Sequence, residues 1–313
     1  MEIKHVPVLL DETLFFLDHP TITTVLDATV GGGGHAEAIL AKIGHVRILY
    51  GFDRDEQAVM RARRRLKKFG NRALIGKSHF ADIGEELEKM KIYKVDAVLM
   101  DLGGSSFHFD DPDRGFSFKA RGPLDMRMDT SQELTASRIV NGYSEAALVK
   151  IFSEFGEERY SKRIAKAIVR ERGERALEDT MRLAEIVERA TPKTRGRTST
   201  HPATRIFQAL RIAVNGELDS LAASIENGVD HLNEGGRIAV ISFHSLEDRI
   251  VKQTLKGMTR RCVCPKELPI CACGTPGKVK LLTKKPIEAS EGEIKRNRRA
   301  RSAKLRVAQR LAA

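Results

Sequence analysis

Asp27-Ala28-Thr29-Val30-Gly31-Gly32-Gly33-Gly34-His35 follows a short apolar run, Thr23 to Leu26, and precedes a helical pattern from Ala36 to Ile43. Four successive glycines open backbone dihedrals closed to other residues and let a ligand approach the main chain. At the start of a helix their amides face outward. Strand, glycine turn and helix are shared by several nucleotide-binding folds, so the placement of the acid discriminates among them. Here Asp27 stands at the strand end, before the glycines.

Gly31, Gly33 and Ala36 satisfy the dinucleotide spacing G-x-G-x-x-A. In that turn, however, the helix N-terminus receives a pyrophosphate, which an acid just upstream repels. A carboxylate at Asp27 suits a ligand carrying an ammonium group. S-adenosylmethionine has an amino-acid end, a sulfonium and no phosphate. The acid-then-glycine order looks like the first motif of class I methyltransferases. A nicotinamide oxidoreductase and a turn that merely reverses the chain are the competing readings.

The apolar run Arg47 to Phe52 predicts a second strand ending at Asp53, where a carboxylate can accept both hydroxyls of an adenosyl ribose. A helix cap before Asp55 to Lys68 is the plainer role for that acid. Arg72 to Gly76 reads as a third strand, after which Phe80, beside Ala81-Asp82, offers a flat wall for adenine. A fourth strand, Val95 to Met100, ends at Asp101. Asp27, Asp53 and Asp101 thus close three consecutive strands, at the edge where open α/β sheets bind ligands.

From His108 to about Arg205 the strand-helix alternation lapses. Residues 109 to 134 are rich in Asp, Arg, Gly and Pro and read as a long functional loop. Helical patterns follow at Ser144 to Glu158, Arg159 to Arg172 and Thr180 to Ala190. The predicted division is a first methyltransferase part at 1–107, a mainly helical insert at 108–205, and a second methyltransferase part at 206–313 with a basic end. In a helix over Thr204 to Leu221, Thr204, Gln208, Arg211 and Asn215 share one face. A fifth strand, Arg237 to Ser242, leads to His244, placed to meet substrate at the same edge. Ser245 and Asp248 have capping-box spacing.

With 313 residues the chain has material for one large or two ordinary domains. Its start lacks the pattern of a secretory leader, and no apolar stretch approaches bilayer length, so a cytoplasmic protein is expected. The net charge of +12 is segregated: residues from Lys256 onward hold 16 Lys or Arg and 4 Asp or Glu, leaving 38 of each sign before them. Such segregation is the footprint of a polyanion partner such as RNA, with a solvated tail as the alternative. Cys262, Cys264, Cys271 and Cys273 form two C-x-C pairs, tighter than the usual zinc knuckles, and are expected to be reduced thiols without a metal, with a structural zinc as the alternative.

Taken together, the runs His5 to Leu10, Asp27 to His35, Asp101-Leu102-Gly103, Arg114 to Phe118, Pro123 to Met128, His201 to Asn215, Ile241 to Arg249 and Arg301 to Arg306 resemble the small-subunit ribosomal RNA methyltransferase H family over nearly the whole chain. The resemblance implies a class I methyltransferase sheet, a Rossmann-like doubly wound α/β fold, with a helical insertion. It also implies methyl transfer from S-adenosylmethionine to the exocyclic N4 of a cytidine in 16S ribosomal RNA, at the decoding centre of the small ribosomal subunit. The family's cofactor contacts fall on Gly33, Gly34, His35, Asp53, Phe80 and Asp101, to which the chemistry above adds Asp27. Where the family has valine, serine, serine, proline, glutamine and leucine, this chain reads Gly104-Ser105-Ser106-Phe107-His108-Phe109, so His108 replaces a glutamine of the cofactor site. Asp101 is the candidate catalytic acceptor. Ser105, Arg114, Arg211 and His244 are candidates for meeting RNA. A non-catalytic assembly factor is the alternative outside enzymes.

Overall fold

The computed structural model describes residues 7–192, 201–259, 268 and 277–312. The chain divides into two compact units, 1–103 with 218–313, and 104–217. Both borders of the second unit lie outside the expected 108 and 205.

In the first unit, α1 (Leu10–Leu17) precedes β1 (Thr24–Asp27), α2 (Gly34–Lys42), β2 (Ile48–Asp53), α3 (Glu56–Leu66), β3 (Ala73–Lys77), α4 (Ile83–Lys89) and β4 (Val95–Asp101). In the second unit lie α5 (Ser106–Asp110), α6 (Ala136–Gly142), α7 (Glu145–Glu154), α8 (Ser161–Glu174), α9 (Thr180–Ala190) and α10 (Ala203–Asn215). The chain returns to the first unit with α11 (Leu221–Asp230), β5 (Leu232–Ser242) and α12 (Ser245–Gly257). It finishes with β6 (Val279–Leu281), β7 (Ile287–Glu288), α13 (Glu291–Arg296) and β8 (Lys304–Arg310).

The sheet order is β3-β2-β1-β4-β5-β8-β6, with β7 also on β8. Strands β1 to β5 are parallel, and β8 runs antiparallel to β5, β6 and β7. Parallel strands are covered on both faces, which is why β1, β2 and β4 are near-continuous apolar runs. Side chains alternate between two cores. Val25, Leu49, Leu99 and Ile241 pack with α1 and α2, whereas Leu26, Tyr50, Val98 and Val240 pack with α4, α11 and α12. Asp96, near the start of β4, fastens one end of this sheet. Its Oδ2 accepts from the Thr23 and Thr24 amides and from Thr23 Oγ1, and its Oδ1 accepts from Asn233. Burial opposes the charge on Asp96, but these donors outweigh it and hold the carboxyl below its ordinary range.

Register explains how the three strand-end acids differ. Asp27 pairs with Gly51 on one side and Leu99 on the other. Asp53 and Asp101 each stand two residues further along, roughly 6.6 Å beyond Asp27 at the ordinary rise of a strand. Asp27 is therefore at the bottom of a notch whose walls end in the other two acids. Gly51 is required there: a Cβ would sit 2.6 Å from Ile75 Cδ1 and 2.9 Å from Val30 Cγ2.

The second unit has its own core, centred on the fully buried Phe152 and built from α6 to α10. The helix expected over Thr204 to Leu221 stops at Asn215, because Gly216 adopts φ 58 and ends α10, and α11 begins only at Leu221. Since Ile206, Phe207, Ala209 and Leu210 of α10 pack into the helical core, α10 belongs with that unit and moves its border past 205. Helix α10 also holds the 109–134 segment. Asn215 accepts from the Met128 amide and donates to the Met126 carbonyl, both at 2.8 Å, and Gln132 donates to the Val214 carbonyl. The polar stripe of that helix is thus largely structural.

Candidate active site

The glycine turn begins as β1 ends. Gly33, at φ 78, is the N-cap of α2, a conformation that L side chains adopt only under strain. Amides in the first turn of a helix have no intrahelical acceptor and carry the positive end of the helix dipole. Those of Gly34 and His35 are therefore available to an electronegative ligand group, as their sequence positions suggest.

Asp53 organises this turn. Its Oδ2 accepts from the Gly31 amide at 2.8 Å and its Oδ1 from the Asp55 amide at 2.9 Å. The helix cap is Asp55, whose side chain accepts from Gln57, so Asp53 is spared that role. Each carboxylate oxygen can take more than one donor, a capacity that suits ribose hydroxyls. Phe80 is half-buried, with one part packed on the core. Its ring centroid is 4.2 Å from that of His79. His79 in turn meets Arg54 at 3.1 Å. Burial and the Arg54 charge depress the His79 pKa to about 4.

Asp101 closes the opposite wall. Its amide donates to Thr29 Oγ1 at 2.6 Å, and its Oδ2 lies 3.5 Å from His35 Nδ1. Among the described residues, Oδ1 is buried and has no hydrogen-bond partner, although the side chain as a whole is 21% exposed. An orphaned carboxylate oxygen is costly, and this one calls for a donor from a ligand. His35 is 5% exposed, and its Nε2 donates to the Val8 carbonyl. Burial opposes a charge on this imidazole, but Asp101, Asp27 and the Val8 carbonyl outweigh it and raise its pKa.

Asp27, expected at the aminoacyl end of a cofactor, lies below the other two acids. It is 1% exposed and accepts from the Thr29 amide. Burial, against the pull of His35, lifts its carboxyl to about 7. Asp27 is linked to the notch through Thr29, whose amide donates to Asp27 and whose hydroxyl accepts from the Asp101 amide. Thr29, which ties Asp27 to Asp101, was not singled out from the sequence. The Asp-x-Thr order at a strand end was the available signal.

The residues expected to meet RNA have other duties. In the second unit, Arg114 is buried and donates to the carbonyls of Arg127 and Met128 at 2.8 and 3.0 Å. Arg211 forms a bidentate pair with Glu217 at 2.9 and 2.8 Å. Ser105 caps α5, accepting from the Phe107 amide. His108 completes that capping box through Nδ1 and stacks on Phe116 at 4.8 Å. Nδ1 of this ring is thereby used as an acceptor within its own unit. In the first unit, the capping box assigned to Ser245 and Asp248 lies one residue earlier, between His244 and Glu247. His244 is buried against Glu247 at 3.0 Å, so it is a helix cap before it is a substrate contact. Cys262, Cys264, Cys271 and Cys273 lie outside the described residues.

Five parallel strands ordered 3-2-1-4-5, an antiparallel strand beyond them, and an acid-then-glycine turn flanked by strand-end carboxylates define a class I S-adenosylmethionine-dependent methyltransferase. The chain belongs to the MraW methylase family, whose model matches residues 2–311. It is 49% identical to the ribosomal RNA small subunit methyltransferase H of Carboxydothermus hydrogenoformans, over 99% of each chain. The protein of that name from Clostridioides difficile is 46% identical over 99% of this chain and all of its own, and that from Halothermothrix orenii 47% over 99% of each. No helix among the described residues is long and apolar enough to cross a membrane.

Proposed function

We propose that this protein methylates the exocyclic N4 of a cytidine in 16S ribosomal RNA, using S-adenosylmethionine, at the decoding centre of the small ribosomal subunit in the cytoplasm. The observation that carries the chemistry is the unpaired Asp101 Oδ1 at the end of β4, one strand away from the glycine turn. Small-subunit ribosomal RNA as the substrate class is supported by the names of relatives that share nearly half their residues with this chain end to end.

Bound S-adenosylmethionine supplies a methyl carbon on a sulfonium, a strong electrophile with a good leaving group. Everything else is the work of the chain. Asp53 and the first-turn amides of α2 orient the ribose and aminoacyl ends, and the half-buried Phe80 provides a wall for adenine. The cytosine amino group is a poor nucleophile because its lone pair is delocalised into the ring. Asp101 Oδ1, accepting a hydrogen bond from that amino group, localises the lone pair, and the methylated nitrogen then releases its extra proton to solvent. Placing the two reacting atoms in line contributes several kcal/mol. The target base must leave its stack to enter the notch.

The test is incubation with labelled S-adenosylmethionine and small subunits that lack the modification, followed by mapping of the labelled nucleotide. N4-methylcytidine at one decoding-centre position is the expected product. Binding of subunits without label transfer would instead identify an assembly factor.

A further inference from the structure

Strand β8 gives Arg306 an environment different from that of the other basic residues near it in sequence. Alternation sends Leu305 and Val307 into one core and Ala308 into the other, on the side of α12. Arg306 shares the latter side and is only 8% exposed, rather than lying on an outward face as the basic run suggests. Its Nε and Nη2 donate to the two carboxylate oxygens of Asp248 at 2.7 and 3.1 Å. Nη1 has no acceptor among the described residues.

That guanidinium lines a cavity of about 530 Å³ formed by α12, β6, β8 and the segment after β6. Lys252, Lys256 and Lys284 line the same cavity and are exposed. No carboxylate among the described residues lies within salt-bridge distance of these three ammonium groups. Asp248 cancels one of the four positive charges, and three stand uncompensated. Leu255 and Leu281 supply apolar wall, which strengthens electrostatic attraction at the floor. A single carboxylate matches one guanidinium, whereas several cations around a concavity match the multiple oxygens of phosphate.

We propose that Lys252, Lys256, Lys284 and the free edge of Arg306 form a phosphate site that receives the RNA backbone away from the methyl-transfer notch. The assignment to RNA rests on the functional reading above. Helix α12 starts beside His244 at the notch edge, so Lys252 and Lys256 stand about 12 and 18 Å further along its axis. The phosphates they hold therefore belong to nucleotides flanking the target.

The experiment compares the full-length protein with the combined variant Lys252→Ala/Lys256→Ala/Lys284→Ala, in binding an unmodified decoding-centre RNA fragment over a salt series. Loss of three contacts to a single strand lowers the slope of log Kd against log salt by about 2. Affinity near physiological salt falls at least tenfold, while S-adenosylmethionine affinity measured by calorimetry is unchanged. An unchanged slope overturns the proposal. Inorganic phosphate at matched ionic strength serves as the second arm. If it shields Lys252 and Lys284 from acylation and the RNA fragment does not, the site is one for free anions and the RNA assignment falls. Absence of methyl transfer by the unaltered protein, with the salt dependence still sensitive to the three lysines, would sink the functional reading and leave this one standing.

Discussion

His35 Nδ1 lies 3.5 Å from Asp101 Oδ2, while Nε2 of the same ring donates to the Val8 carbonyl across a 3.0 Å contact. A carbonyl oxygen only accepts, so Nε2 carries a hydrogen. Nδ1 faces a carboxylate and carries the second only when the ring is an imidazolium, in agreement with its raised pKa. The ring faces one Asp101 oxygen and leaves the other without a partner among the described residues. His35→Ala is expected to slow single-turnover methyl transfer roughly ten- to hundredfold, the loss of one charge-assisted hydrogen bond. It also removes the alkaline limb of the pH–rate profile, because the wild-type ring loses its proton as pH rises through its folded pKa. A profile that kept its shape would make His35 a packing residue only.

Asp27 supplies a second pH dependence. Its folded pKa of about 7 exceeds the ordinary 3.8, so folding favours the protonated acid. The contribution to stability is complete below about 3.8 and is lost as pH rises to about 7. Asp27→Asn abolishes this slope. Denaturant melts from pH 5 to pH 8 should show the wild type losing on the order of 2 to 4 kcal/mol relative to the variant.

His79 has the opposite sign over an overlapping window. With its pKa depressed to about 4, the neutral ring is favoured in the fold. Its contribution is present above about 6.5 and is lost as pH falls toward 4. His79→Asn is expected to flatten the acid limb of stability, read as a smaller drop in Tm between pH 6.5 and 4.5 than in the wild type.

Asp53 holds the Gly31 amide and, in the proposed function, also offers acceptor capacity to ribose. Asp53→Ala should weaken S-adenosylmethionine binding about ten- to hundredfold by calorimetry, the worth of a charged hydrogen bond. Asp53→Asn, which keeps one acceptor oxygen, should lose less. Equal affinities for all three proteins would remove the ribose assignment.

Glu217 is buried in its bidentate pair with Arg211. Removing one partner strands a buried charge, so Glu217→Ala is expected to destabilise the protein by about 3 kcal/mol in chemical denaturation. The double change Arg211→Met/Glu217→Leu should cost far less. If the single and double variants melted alike, the pair would be energetically idle.

The strands and their terminal acids were legible because parallel strands are continuous apolar runs and an acid that interrupts one is conspicuous. β1, β2, β3 and β4 lie within a residue of where their apolar stretches place them. What the sequence alone did not reveal is depth. Asp27, Asp53 and Asp101 look equivalent in the chain, and only the pairing of Asp27 with Gly51 and Leu99 sets it below the others. The partners of three arginines were hidden for a related reason. A guanidinium reads as a surface charge, yet Arg114, Arg211 and Arg306 are held by carbonyls or carboxylates distant enough in sequence to escape spacing arguments. Even the break of α10 at Gly216, visible as a glycine, needed the packing of that helix to decide which unit it joins.

Asp96 ties the entry to β1 and the start of β5 onto its own strand through four hydrogen bonds. Three central strands are thereby clamped at the rim remote from the ligands, a boundary that resists sliding or splaying. Whatever adaptation accompanies substrate capture must then be accommodated by the connecting segments at the other rim. The sheet behaves as a rigid anvil, and the distances between its carboxylates are set before any substrate arrives.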